Sequence, residues 1–463
     1  MRARLLAVLT TCLLGCAVVV GAPMAEAEPV ASPTADAPAD SADDAGFTVR
    51  GQQLDLRTSL GSAPQVEPGL YRATLPAGKS TTYAKIQRRP GETLNVAVSG
   101  AALEPGKPYF ATADHRLAAD FVIPSEYGTP TTCGRSSSSA GTYLSSGDAF
   151  GVLTATNTAE GAKTPRTIAP NDECYQATTL YIEISREAPP AAGAMPVEIQ
   201  VTREPKITGT PDQPVTKADL AKLQTLPKDD DVVVAPGRGY SDAPELKPDG
   251  TTRLDVRLGE TYFYKVRVGW GQRLGASLDV PGRAAPKAPQ VDTEVSLGLR
   301  NPMRQGVGST TSSQSAQQPG DDTAITPDVA EVSTAPVRWA NRSVDSTLYG
   351  DISSDSAQAT TAAGWYYVVV RADPSDSAET KTGVAPYRTQ LTVQVTGTAG
   401  SGPTFVDASN QAMPAPKPGE LSIGGQDGGS GSSLPWARIG GGIAAALLAA
   451  LAVAWALRAR RNA

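Results

Sequence analysis

The sequence predicts an all-β protein: two related domains in tandem, followed by one transmembrane helix near the C-terminus. Three observations point there. Glycine (45) and proline (38) are abundant, aromatic residues are only 5%, and threonine and valine are frequent, a balance that favours strands and turns over helices. A pattern of short alternating strands that starts near residue 70 returns near residue 250. An uncharged apolar run, "IGGGIAAALLAALAVAWAL" at 439–457, is long enough as a helix to span roughly 28 Å, close to a bilayer core.

From the N-terminus, Arg2 and Arg4 precede an apolar run from Leu5 to Val20 and then "APMAEAEP". Charge, apolar core and small-residue site in that order read as a secretory signal peptide, residues 1–27, cut after Ala27. A rival reading takes "LLGC", ending at Cys16, as a lipobox at which a lipidated chain would begin. Residues 28–59 follow as a disordered N-terminal arm, because "EPVASPTADAPADSADDAG" has too few bulky apolar groups to bury.

The first domain is placed at 60–205 and the second at 246–397. "RATLPAGKSTTYAKIQRRPGETLNVAV", from Arg72, aligns with "RLDVRLGETYFYKVRVGWGQRLGASLDV", from Arg253. Arg72 falls on Arg253, Gly78 on Gly259 and Tyr83 on Tyr264; a gap of one residue then brings Gly91 onto Gly271 and Leu94 onto Leu274. Ala73, Leu75 and Ala77 match Leu254, Val256 and Leu258 as a period-2 apolar set facing one core. The copies also close alike: "LYIEISR" from Leu180 parallels "WYYVVVR" from Trp365, and "VEIQVT" at 197 parallels "LTVQVT" at 391. Between them, the linker 206–245 contains "TKADLAKLQTL", where Leu220, Leu223 and Leu226 are spaced for a short helix.

Two of the four cysteines lie in the signal peptide. The remaining pair, Cys133 and Cys174, reads as one disulfide of an exported chain. Neither neighbourhood offers a CxxC spacing or a histidine, so a metal is not indicated.

"GLYRATLPAGKSTTYAKIQ" with "GETLNVAV", and "RLDVRLGETYFYKVRV" with "GQRLGASLDV", resemble the opening strands of bacterial pre-peptidase C-terminal domains. "VSLGLRNPMRQ" is similar to their strand followed by Asp/Asn-Pro, and "GWYYVVVRADP" to their Gly-x-Tyr-hydrophobic strand. The resemblance covers about half of each unit and implies two tandem jelly-roll-like β-sandwich domains on a secreted or surface protein. Tandem modules with a terminal span and an arginine tail also look like actinobacterial surface proteins that carry a von Willebrand factor A domain. That domain is missing: "DISSDS" at 351 does not supply D-x-S-x-S, so metal-dependent adhesion is not carried over.

Residues 398–438 are rich in glycine, serine and proline and read as a flexible stalk. The span at 439–457 is flanked by Trp436 and Trp455, and the tail 458–463 carries Arg458, Arg460 and Arg461. By the positive-inside rule the C-terminus is cytoplasmic, giving a single-pass type I membrane protein.

The net charge of −6, with both signs interspersed, indicates no nucleic-acid surface. The one histidine, His115, has no G-x-S-x-G elbow to serve, and Asp229-Asp230-Asp231 and Asp321-Asp322 lack a calcium-loop spacing. No cofactor, metal or catalytic residue is implied. The expected function is therefore a non-enzymatic surface protein that binds an envelope protein or glycan, with Trp270 of the "VGWGQR" turn as a possible contact. The alternative is an accessory or docking subunit for a separately encoded surface enzyme or secretion component.

Overall fold

The computed structural model describes residues 47–413 except 90, 102–114, 127, 134–141, 145–151, 161–171, 191, 210–211, 222–231, 257–259, 281–292, 309–313, 317–327, 349, 375–386 and 408. Ala27, Cys16, Trp436, Trp455, Arg458, Arg460, Arg461 and the expected span lie outside the described residues. Among the described residues no helix is long and apolar enough to cross a membrane.

Strand-forming sequence with period-2 burial dominates both halves. The first runs β1 (Gln52–Gln53), β2 (Gln65–Val66), β3 (Gly69–Leu75), β4 (Ser80–Gln87), β5 (Thr93–Ala101), β6 (His115–Ile123), β7 (Thr131–Cys133), β8 (Thr142–Leu144), β9 (Val152–Ala159), α1 (Asp172–Gln176), β10 (Thr179–Glu187) and β11 (Met195–Glu204). After β12 (Ile207–Thr208) the second runs β13 (Thr251–Val256), β14 (Thr261–Val268), β15 (Arg273–Val280), β16 (Thr293–Arg300), β17 (Gly306–Gly308), β18 (Gln314–Ala316), β19 (Asp328–Ser333), α2 (Ser354–Ala359), β20 (Gly364–Pro374) and β21 (Tyr387–Thr396), then β22 (Thr404–Phe405).

Each half is a sandwich of two sheets. In the first, β1-β3-β11-β5-β9 faces β2-β4-β10-β6-β7, with β8 also on β6. In the second, β13-β21-β15-β19 faces β14-β20-β16-β17, with β18 on β16. Apart from the short caps β1 and β2, the two strand orders are the same, and each sandwich encloses its own apolar core.

The backbone pairings also correct the sequence alignment. Lys85 N–H bonds the Pro64 carbonyl and Lys265 N–H bonds the Pro244 carbonyl, while Arg57 bridges Tyr83 as Gly237 bridges Phe263. Tyr83 therefore matches Phe263, not Tyr264. Tyr264 points into the core and is fully buried, whereas Tyr83 is half-buried on the outer face. The missing residue lies in the turn between the first two strands of the repeat, not after the second. Ala77 is accordingly exposed in that turn rather than part of the inward set. The final strands shift likewise: Tyr71 and Val98 both pair with Ile199, and their counterparts Thr252 and Leu278 both pair with Leu391, so Ile199 matches Leu391.

Three segments placed outside the two domains from sequence are partly built into the body. The arm contributes buried Phe47 and Leu54, and β1 pairs in parallel with β3. The linker helix is one 3-10 turn, Lys217–Leu220, with a Thr216/Asp219 capping box, and Leu220 is buried against Ala335, Val344, Ile352 and Ala357. Leu223 and Leu226 lie outside the described residues. The stalk's first stretch folds back through β22, which pairs with β12 and buries Phe405 and Val406. In each case a few apolar side chains find a core, which the polar average of the segment conceals.

The two sandwiches dock into a single compact unit. The turn after β16 is held by Asn301, whose side-chain oxygen accepts from the N–H of Met303 and of Gln305, both at 2.9 Å. It places Arg304 at φ 64°, a left-handed conformation rare for a non-glycine residue. The Arg304 side chain crosses to the first sandwich, where Nη2 lies 2.5 Å from Glu198 Oε1, the pair being 2% and 1% exposed. The guanidinium also stacks on Tyr240, 4.5 Å from its ring centroid. Glu198 Oε2 accepts from Arg50 N–H at 2.9 Å and from the Ser241 hydroxyl. A second contact joins Trp339 Nε1 to Glu204 Oε1 at 2.9 Å, with Arg342 Nη1 at 3.0 Å from the same oxygen.

Candidate binding cleft

The two copies differ at the outer edge of the β13 sheet. In the first sandwich β1 covers the equivalent edge: Gln52 and Gln53 pair with Tyr71 and Arg72, and Leu54 N–H donates to the Arg72 carbonyl at 2.9 Å. The same offset that relates Pro64 to Pro244 carries these residues onto Val232, Val233 and Val234. There the three valines form no strand, and Val234 N–H donates to Thr252 Oγ1 at 2.9 Å. Among the described residues no strand pairs with β13 beyond β21.

The segment 233–236 thus stands off from β13 and leaves a cleft of about 820 Å³. One wall is Val233 to Pro236; the other carries Arg253 and Asp255 of β13 and Arg388 and Gln390 of β21. The ladder sets Arg253 opposite Gln390 and Asp255 opposite Arg388, so both pairs project from one face. At one end Arg238 Nη1 pairs with Glu260 Oε2 at 2.7 Å and stacks on Tyr262, 5.1 Å from its centroid. The Tyr262 hydroxyl reaches Glu260 Oε2 at 2.5 Å and the Asp255 carbonyl at 3.2 Å. Burial alone would lower the Arg238 pKa, but the Glu260 carboxylate and Tyr262 outweigh it, and the net shift is upward. Arg238 is a fixed cation.

Val232 and Val233, 62% and 70% exposed, are the most exposed large apolar side chains among the described residues. They stand beside a cleft lined by apolar and charged side chains, so the place offers apolar contact, charge of both signs and a strand edge. That equipment suits recognition. Among the described residues, no three His, Cys, Asp or Glu side chains are grouped to hold a metal.

The residues singled out in the sequence fall elsewhere. Cys133 and Cys174 form the disulfide, with Cα atoms 5.3 Å apart and a separation of 41 residues, inside the first core. His115 opens β6. Trp270 is 8% exposed, bridged to Gly400 and covered by Gly402, where an added Cβ would overlap the indole. It is a core residue sealed by the returning chain, not an exposed contact. Arg253 stood out only as an anchor of the repeat, and Arg238, Glu260 and Arg388 not at all, because they are scattered in sequence and belong to no motif. The only signal was the valine run at the position of β1.

No protein-family model matches the chain, and no curated protein matches it. Among solved structures, the tandem CBM51 modules of Sp3GH98, the family 98 glycoside hydrolase from Streptococcus pneumoniae SP3-BS71, are 11% identical and cover 69% of this chain and 82% of that one, with a TM-score of 0.17. The tandem CBM22 domains of Paenibacillus barcinonensis Xyn10C are 9% identical over 72% and 92%, with a TM-score of 0.16. The ANX2 ectodomain from Arabidopsis thaliana is 11% identical over 75% and 86%, with a TM-score of 0.15. At such scores these likenesses carry no weight for function.

Proposed function

We propose that the chain is a non-enzymatic, membrane-anchored cell-surface protein whose docked sandwiches bind a protein or glycan of the envelope, with the β13 cleft as the binding place. The cleft carries the reading: it joins a strand edge, arginine and carboxylate side chains and the exposed Val233 in about 820 Å³. The signal peptide, the terminal span and the resemblance to pre-peptidase C-terminal modules, all read from sequence, supply the address. A disulfide in the first sandwich accords with an oxidising compartment.

The test is sedimentation of the full chain, in detergent, with an isolated envelope fraction. Wild type should co-sediment, and Arg388→Glu, an exposed rim change, should reduce the bound fraction. Equal retention of both would exclude the cleft. Orientation is read by protease treatment of intact cells, which should release both sandwiches from the cells into the medium; a full-length chain left on the cells would overturn the surface assignment.

A further inference from the structure

We infer that residues 47–51, ahead of the first sandwich, are a strap that holds the second sandwich in its docked position, so that the relation between the two bodies depends on the chain being intact from Phe47.

The strap is anchored at both ends. Downstream it is fastened to the first sandwich: Gly51, at φ 111°, runs so close to β3 that a Cβ there would lie 2.5 Å from the Leu70 carbonyl carbon, and β1 follows at once. Upstream it reaches the second sandwich. Phe47 is 5% exposed. It and Thr48 lie over Gly239, where an added Cβ would come within 2.8 Å of the Thr48 carbonyl oxygen and 3.4 Å of the Phe47 ring. Gly239 belongs to a segment, 237–243, that is built onto the second sandwich: Gly237 and Phe263 exchange two backbone bonds of 3.0 Å, and the Tyr240 ring sits 4.8 Å from that of Phe263 and 4.9 Å from that of Tyr367.

Between these anchors the strap closes over the seam. Arg50 N–H donates to Glu198 Oε2 at 2.9 Å, the oxygen that also accepts from the Ser241 hydroxyl, while Arg304 holds Oε1. One buried carboxylate of the first sandwich is therefore shared by the strap and by two pieces of the second, the 237–243 segment and the turn after β16. Polar faces such as Glu198, Gln200 and Thr202 supply little hydrophobic adhesion, and domains joined through them move relative to one another unless something fastens them. Removing the strap takes a hydrogen bond from Glu198 and uncovers its charge, which favours the undocked state.

The test compares the full chain with a variant lacking residues 47–50, both in detergent, by amide hydrogen exchange. Asn301, Met303, Arg304 and Gln305 are at most 6% exposed in the docked state, so undocking is read there. Loss of the strap should speed exchange across 301–305 by about ten- to a hundredfold, the range set by one lost bond to a buried carboxylate. The slow amides of β5 and β10 in the first core should keep their rates. Phe47→Asp, which leaves β1 in place, should shift 301–305 in the same direction and carries the test if the deletion does not fold. Wild-type rates at 301–305 without the strap overturn the inference. A rise there matched by an equal rise in β5 and β10 also overturns it, because 47–51 would then be only a part of the first sandwich's own fold.

Discussion

Arg304 shows how one residue can set the relation between two domains. Its ion pair with Glu198 is almost completely buried, so removing one partner strands the other charge. Glu198→Ala should therefore destabilise the junction by about 3–5 kcal/mol, whereas Arg304→Met with Glu198→Leu should cost far less, as compared by denaturant unfolding. Equal losses would mean the pair is not the source. Asp219 makes a smaller, pH-dependent contribution. Burial would raise its pKa, yet hydrogen bonds from the Thr216 N–H and hydroxyl, with Arg338 and Arg273 nearby, bring the net value below the ordinary 3.8. The folded pKa is the lower one, so the stabilisation is complete above about pH 4 and is lost as pH falls through the folded value. Asp219→Asn should flatten the acid limb of the stability curve; an unchanged limb would refute this. Sequence could not show either role. Glu198, Gln200 and Thr202 occupy the polar half of an alternating strand and look solvent-facing, yet they are 1%, 2% and 2% exposed because the second sandwich covers them.

Strands were legible where alternation was clean, as in β3 and β13; which of them pair was not. Register was harder, since a slip of one residue moves every side chain to the other face. Tyr83 and Tyr264 share an identity but point in opposite directions, and a shared letter cannot reveal that. Gly91 at φ 84° and Gly271 at φ 77° fared better: both turns need the left-handed region, so the glycines align truly. The disulfide is the firmest prediction at this scale. Closing a 41-residue separation, it stabilises by about 4 kcal/mol in the chain-entropy model. Cys133→Ser with Cys174→Ser should lower the melting temperature of the first sandwich and leave the slow-exchanging amides of the second unchanged until the first unfolds. Equal loss in both would show tighter coupling than the separate cores suggest.

At the scale of the whole molecule, the sequence predicted two all-β bodies on a linker, and the structure docks them. A linker's composition says nothing about whether the domains it joins carry complementary faces, which is why the junction was invisible. Limited proteolysis of the full chain should yield one resistant fragment bearing both copies; early separation into two would contradict the docking. The clasp of β12 with β22 has a further bearing on a tethered protein. Val406 N–H bonds the Lys206 carbonyl at 2.8 Å, so the chain leading toward the C-terminus leaves beside the segment that exits the first sandwich. In the proposed anchored arrangement, tension from the membrane would reach the seam first and be shared by both halves, pulling on a hinge pin rather than unravelling the last strand.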